Sequence, residues 1–263
     1  MTSGTQRTID LATARVLISN DDGIDAPGLK ILENIIRELA AEVWVIAPET
    51  EQSATSHSLT LRRPLRIRKR HQFSYAVDGT PTDSVLLGIN KIMKDNPPDL
   101  VLSGINRGGN LGEDVTYSGT VAAAMEGTLL GVPSIALSQV YSDSRSVNWS
   151  VAEHWIAPVL DKLKTFSWTP GILLNVNFPA VDVDQVKGVE VVSQGRRKIG
   201  ADFREAMDPR GEPYYWIGPQ RDEDTSAAGT DLECIMRGCV AVTPLSMDLT
   251  DKPSMEKLKT VFS

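Results

Sequence analysis

The chain has few of the residues that mark a stapled, membrane-spanning or polyanion-binding protein. Only two cysteines, Cys234 and Cys239, occur in 263 residues. That excludes a secreted disulfide scaffold and leaves too few thiolates for a cysteine zinc site, so both read as packing residues. No apolar run reaches membrane-spanning length, and Met1–Ala14 lacks the apolar core of a signal peptide. These absences predict a soluble, cytoplasmic protein. Positive charge is in deficit, with 27 Lys+Arg against 34 Asp+Glu and a net charge of −7. A nucleic-acid polymer as main partner would call for the opposite sign. A small phosphorylated compound stays open, because a bound metal ion can reverse the local field. There are only three histidines, and no Gly-x-Ser-x-Gly elbow, His-Glu-x-x-His pair or Walker A loop. Internal repeats and low-complexity segments are lacking too. What remains, 41% hydrophobic and 23% charged residues, is the composition of a folded domain large enough to bury roughly three quarters of its unfolded surface.

Short apolar runs alternate with helical spacing through the first two thirds of the chain. Arg15–Ser19 reads as a buried parallel strand that ends abruptly in Asn20-Asp21-Asp22-Gly23. Leu29, Leu32, Ile35, Ile36 and Leu39 recur at helix spacing after Pro27, with Asp25 expected as the N-cap. Further strands are expected at Glu42–Ala47, Ser74–Asp78, Asp99–Ser103, Pro133–Leu137 and Gly171–Phe178. Helices are expected after Gly79, over Gly119–Leu130 and over Trp149–Phe166. The polar segment Glu49–Pro64 is long enough for a functional loop. The basic run Arg66–Arg70 reads as a solvated face. This alternation predicts an α/β fold: a Rossmann-like, doubly wound, mostly parallel sheet. Residues 1–14 are read as an N-terminal extension and 15–188 as the catalytic core. Residues 189–263 are read as a β-rich arm and return segment packed on that core.

In such sheets ligands bind beyond the carboxyl ends of the strands, and four patches fall there: Asn20–Gly23, Glu51–Ser58, Ser103–Gly112 and Thr116–Thr120. Asp21 and Asp22 are adjacent carboxylates, each raising the other's cost of ionisation unless a cation sits between them. They suit a hard divalent ion, although Asp-Asp-Gly is also ordinary turn chemistry. Gly104, Gly108 and Gly109 let backbone amides approach an anion, and Asn106 offers a neutral oxygen ligand. Ser118, Gly119 and Thr120 open a helix whose first amides could seat a phosphate; a plain N-cap is the simpler alternative. His57 reads as a bystander, and His154 as structural.

Taken in order, these patches resemble one family closely, the survival-protein E (SurE) nucleotidases. The matching residues are Ile18-Ser-Asn-Asp-Asp-Gly-Ile24 with Ala26-Pro-Gly28, Ala47-Pro48 with Gln52-Ser-Ala54, and Val77-Asp-Gly-Thr-Pro-Thr-Asp83. Ser103-Gly-Ile-Asn-Arg-Gly-Gly-Asn-Leu-Gly112, Thr116-Tyr-Ser-Gly-Thr-Val-Ala-Ala-Ala124 and the late Val242-Thr-Pro-Leu245 with Asp248-Leu-Thr continue the match. The resemblance implies one divalent metal ion per subunit, Mg2+ or Mn2+, held by Asp21, Asp22, Ser53 and Asn106. Ser53 sits among other hydroxyls, Thr55, Ser56 and Ser58, that could serve instead. It also implies hydrolysis of nucleoside 5'- and 3'-monophosphates, with Asp21, Asp22 and Asn106 in the catalytic centre and metal-activated water as the nucleophile. Gly104, Gly108, Gly109, Ser118, Gly119 and Thr120 would bind the phosphate. The arm implies a homodimer or homotetramer. Within it, Phe203, Met207, Tyr214, Tyr215, Trp216 and Ile217 form an aromatic-rich cluster that so thin an element cannot bury alone.

Two rival readings share part of this pattern. A receiver-like signalling module, binding metal and phosphate without turnover, also places an acidic pair after its first strand. It needs an aspartate at the end of the third, where this chain has Ser103-Gly104. A haloacid-dehalogenase-type phosphatase needs Asp-x-Asp, which Asn20-Asp21-Asp22 does not supply.

Overall fold

The computed structural model describes residues 8–142, 147–200, 203–217 and 221–263. In chain order these form β1 (Arg15–Ser19), α1 (Pro27–Leu39), β2 (Glu42–Pro48), β3 (Ile67–His71), β4 (Ser74–Val77), α2 (Pro81–Leu87), β5 (Leu100–Arg107), α3 (Gly119–Leu129), β6 (Ser134–Gln139), α4 (Ser150–Leu163) and β7 (Ile172–Phe178). The remainder comprises β8 (Val189–Val191), β9 (Arg197–Ile199), β10 (Phe203–Met207), β11 (Pro213–Ile217), β12 (Arg221–Glu223), α5 (Asp231–Met236), β13 (Val240–Ser246) and α6 (Lys252–Val261). Residues 1–7, the first half of the expected extension, lie outside the described residues. The second half packs on the core, where Ile9 is buried in one cluster with Leu100 and Leu160.

Nine strands make the main sheet in the order β3-β4-β2-β1-β5-β6-β7-β13-β8. From β4 to β7 every pairing is parallel. The chain leaves β1 through β2 and β4 on one side, then crosses to β5, β6 and β7 on the other. This is the doubly wound α/β arrangement expected, and its switch in strand order lies between β1 and β5. Alternation along β1 sorts the faces: Val16 and Ile18 join the core under α1 and α4, while Leu17 joins Val85 and Ala123 on the opposite face with α2 and α3. The late strands return to this sheet, β13 antiparallel to β7 and β8 parallel to β13.

Three local expectations need correction. Asp25 does not cap α1; Ala26 holds that position in extended backbone without a side-chain bond. Pro27 pushes the preceding residue out of the helical region, and Asp25, one step too early, pairs with Arg70 at 3.0 Å. Strand β5 runs four residues past Ser103, with a register shift against β6 between Ser103 and Asn106. Asn106 therefore stands on a strand end rather than in a loop. The basic run is exposed as expected, but it is also the edge strand β3, paired antiparallel with β4. Charge on an edge discourages pairing with another chain, and that logic hid a strand in a polar run.

Beyond Gly195 the chain forms a short β arm of two two-stranded ladders apart from the main sheet. Strands β9 and β12 pair antiparallel, as do β10 and β11, with Phe203 opposite Ile217 and Met207 opposite Pro213. Every residue of β11 is exposed. No helix among the described residues is long and apolar enough to cross a membrane.

Candidate active site

The four patches converge on one cleft of about 570 Å3 at the carboxyl ends of the parallel strands, lined by Asp21, Asp22, Ser53, Asn106, Gly109 and Ser118 among others. Each arrives for a local reason. Strand β1 delivers Asp21 and Asp22 at the topological switch. The end of β5 delivers Asn106. The loop after β2 delivers Ser53 and is tied down by a bond from the Gln52 amide to the Asp21 carbonyl at 2.7 Å. Ser118 caps α3, its hydroxyl accepting from the Val121 amide at 3.0 Å.

The acidic pair is strained by burial. Asp21 is only 5% exposed, and desolvation pushes its carboxyl up to about 6, with the neighbouring Asp22 charge adding to the rise. The Thr120 hydroxyl donates to Asp21 Oδ1 and works in the opposite direction. Asp22 is raised too, first by desolvation and further by Glu51, against the Arg107 amide that donates to its Oδ2 at 3.3 Å. Two desolvated carboxylates side by side, with neutral oxygens nearby, are a donor set that a hard divalent cation would relieve. Asn106 contributes to that set: its Nδ2 donates to the Gly108 carbonyl at 2.8 Å, which leaves the amide oxygen as the available ligand. The Ser53 hydroxyl donates to Glu51 Oε1 at 2.8 Å and is exposed. The residues present thus fit a divalent ion.

The family described as Survival protein SurE matches residues 16–201. This chain belongs to the SurE family. It is 60% identical over 253 residues to the 5'-nucleotidase SurE of Paramagnetospirillum magneticum, covering 96% of this chain and 97% of that one. Against the 5'-nucleotidase SurE of Rhodospirillum rubrum the identity is 54% over 256 residues, with 96% and 98% covered. The solved SurE protein from Aquifex aeolicus superposes with a TM-score of 0.82 at 39% identity, covering 95% of this chain and 100% of that one. A receiver-like module finds no support in this membership or in β5, whose Ser103-Gly104 step is buried in the sheet.

Within the SurE fold, not every expected phosphate ligand faces the cleft. Gly108, Gly109 and Ser118 line it, whereas Gly104, Gly119 and Thr120 do not. Gly104 is packed inside the sheet, where a Cβ would lie 2.3 Å from the Leu137 carbonyl oxygen. The Gly108 amide already donates to Gln139 and the Ser118 amide to Asp114. Thr120 gives its hydroxyl to Asp21 Oδ1, and its backbone also favours the ionised carboxylate. The start of α3 therefore serves the Asp21 carboxylate before any ligand. Gly119 completes that contact, since a Cβ there would sit 2.7 Å from Asp21 Cβ and 2.9 Å from its Oδ2.

The glycine loop is anchored from behind by a buried amide network. The Asn110 amide donates to Asn177 Oδ1 at 2.8 Å, while Asn175 and Asn177 donate to the Asn110 carbonyl at 2.8 and 3.1 Å. His57 stays out of the cleft lining and pairs with Glu126 of α3 at 2.9 Å. His154 is exposed against Trp155. Sequence reasoning missed Arg107, Asp114, Tyr141 and Arg197, which also line the cleft. Tyr141 follows β6 and could have been found by the strand-end rule. Nothing in the local sequence places Arg197, which comes from the arm.

One other donor group occurs among the described residues: Glu190, Cys234 and Cys239, with ligand atoms within 4.8 Å of one another. The Arg237 guanidinium sits there instead, 2.9 Å from Glu190 Oε1, and burial pushes the Cys234 thiol up to about 12. Both cysteines are packing residues, as expected.

Proposed function

We propose that this chain is a divalent-metal-dependent phosphatase that hydrolyses nucleoside 5'- and 3'-monophosphates to nucleoside and phosphate. The observation that carries the reading is the pair of desolvated carboxylates, Asp21 and Asp22, which line one cleft of about 570 Å3 together with Asn106. Asp21, Asp22, Ser53 and Asn106 would hold one ion, Mg2+ or Mn2+. Such an ion supplies Lewis acidity at the phosphoryl group and makes water a better nucleophile near neutral pH.

The chain's own groups do the rest. Ser118 keeps its hydroxyl hydrogen free to donate to a phosphate oxygen, because its oxygen only accepts from Val121. The Gly109 amide, positioned by the Asn110 network, is a second donor where charge shifts during transfer. Gly104, Gly119 and Thr120 support this seat from behind, and Gly108 lines it with its amide given to Gln139. Thr120 holds Asp21 Oδ1, so Asp22, the more exposed of the two, is the carboxylate placed to accept a proton from the attacking water. Among the described residues no cysteine or histidine lines the cleft, and its one serine bonded to a carboxylate, Ser53 with Glu51, is assigned to the ion, which favours direct attack by water.

The assembly reading is a homodimer or homotetramer built through the arm. Phe203, Met207, Tyr215, Trp216 and Ile217 are each at least 60% exposed, on a two-stranded ladder that has no third layer to cover it. Exchange of arms between copies would bury that surface. The division into an extension (1–14), a core (15–188) and a C-terminal arm with return segment (189–263) is proposed with it, the location being cytoplasmic. Phosphate release from a nucleoside monophosphate, measured before and after chelation, tests the reading. Turnover that needs no divalent ion would refute it.

A further inference from the structure

The arm is not remote from the cleft. Its root packs on the 3-10 turn Gly112–Thr116, so closely that a Cβ on Gly112 would lie 2.7 Å from the Arg197 nitrogen. The Arg197 amide donates to the Glu113 carboxylate, and Gln194 Nε2 donates to the Gly112 carbonyl at 2.9 Å. Behind this contact lies Asp231, fully buried. Its Oδ2 accepts from the Gly112 amide at 2.9 Å, and its Oδ1 from the Gly195 and Leu232 amides at 2.8 Å each. One carboxylate thus joins the cleft wall, the root of the arm and the start of α5.

What this clamp presents to the cleft is the Arg197 side chain. Its Nε lies 2.9 Å from Glu223 Oε1 and 3.4 Å from Asp114 Oδ2. That nitrogen is buried, while the side chain as a whole keeps 22% exposure, and Arg197 lines the cleft. Two carboxylates offset the guanidinium charge. A guanidinium so balanced is a weak anchor for a dianionic phosphate but still a directional fork of donors. It suits neutral acceptors such as those of a base or a sugar. The phosphate donors proposed above are the Gly109 amide and the Ser118 hydroxyl, in the same cleft.

We propose that Arg197 contacts the nucleoside portion of the substrate, and that Asp231 is a positioning residue that holds it there. This rests on the nucleotidase reading above. The test is steady-state kinetics of the full chain with Mg2+ or Mn2+ on a nucleoside 5'-monophosphate and on p-nitrophenyl phosphate. The readout is the ratio of the two kcat/KM values. Arg197→Met should lower that ratio roughly tenfold or more, chiefly through a higher KM for the nucleotide. Arg197→Lys, which keeps charge without the fork, should restore only part of it. Asp231→Asn should shift the ratio in the same direction, with little further change when combined with Arg197→Met. Should Arg197→Met fail to fold, Arg197→Lys with an unaltered melting temperature carries the test. A ratio equal to that of the parent, or equal losses on both substrates, would overturn the proposal while leaving the nucleotidase reading intact. A parent chain inactive on the nucleotide would overturn both.

Discussion

Replacing Asp21 by Asn should make the metal-free protein more stable and the loaded enzyme inactive. Burial raises the Asp21 carboxyl from 3.8 to about 6, which corresponds to about 3 kcal/mol of difference between its protonated and ionised forms in the folded state. The native state then binds this proton more tightly than the unfolded chain does. The stabilisation is fully present below about pH 4 and lost as pH rises to about 6; Asp22, raised as well, acts in the same direction. At pH 8 in a chelator the parent therefore carries the whole cost of an ionised, desolvated group. Asn removes it while keeping an oxygen for the Thr120 hydroxyl, at the loss of charge-assisted bonds. A net gain of about 1–2 kcal/mol remains, or roughly 2–8 °C in melting temperature for a chain near this size. The assay is thermal unfolding of both proteins from pH 4 to 8, with chelator and then with Mg2+ or Mn2+. Metal at a hundred times its Kd should add about 2.7 kcal/mol to the parent and far less to the variant. If Asp21→Asn melts no higher than the parent at pH 8 without metal, the carboxylate is not strained and the argument for a cation seat fails.

Other outcomes follow from the same geometry. Gly119→Val places carbon where Asp21 Cβ and Oδ2 lie within 2.9 Å, so kcat/KM should fall by about two orders of magnitude; parent-like turnover would show that the contact has slack. Asn106→Ala should weaken the metal dependence of activity roughly tenfold or more, read as the Mn2+ concentration for half-maximal rate. Trp216→Ser with Ile217→Ser should shift the light-scattering mass toward a smaller species, and a parent mass already near 28.7 kDa would refute arm-mediated assembly. His57→Ala should loosen the loop that carries Ser53 and raise KM more than it lowers kcat; equal losses in both would count against that role.

The parallel core was legible because buried strands are short, apolar and bounded by polar turns. Arg15–Ser19 and Ile172–Phe178 could hardly be read otherwise, and the strand-end rule then placed Asp21, Asp22 and Asn106 together. What stayed hidden depended on long-range contact or on polar sequence. The edge strand Ile67–His71 carries charge because it is an edge, so it reads as loop. The extension of β5 to Arg107 is dictated by pairing with β6 across a register shift, which glycines disguise. Thr120 looked like a phosphate donor, since a free helix start is one; its turn toward Asp21 is a tertiary fact. Arg197 reaches the cleft through long-range contacts that include Asp231, distant in sequence from both cleft and arm root, which binds Gly112 and Gly195 at once.

We assign Asp21, Asp22, Ser53 and Asn106 to a divalent ion needed for nucleotide hydrolysis. Phosphate release from a nucleoside 5'-monophosphate, followed through chelation and re-addition of Mg2+ or Mn2+, tests it most directly. Activity should be lost on chelation and recovered on re-addition in the parent, with no recovery in Asp21→Asn. Full activity in the chelated parent, or full recovery in Asp21→Asn, would contradict it.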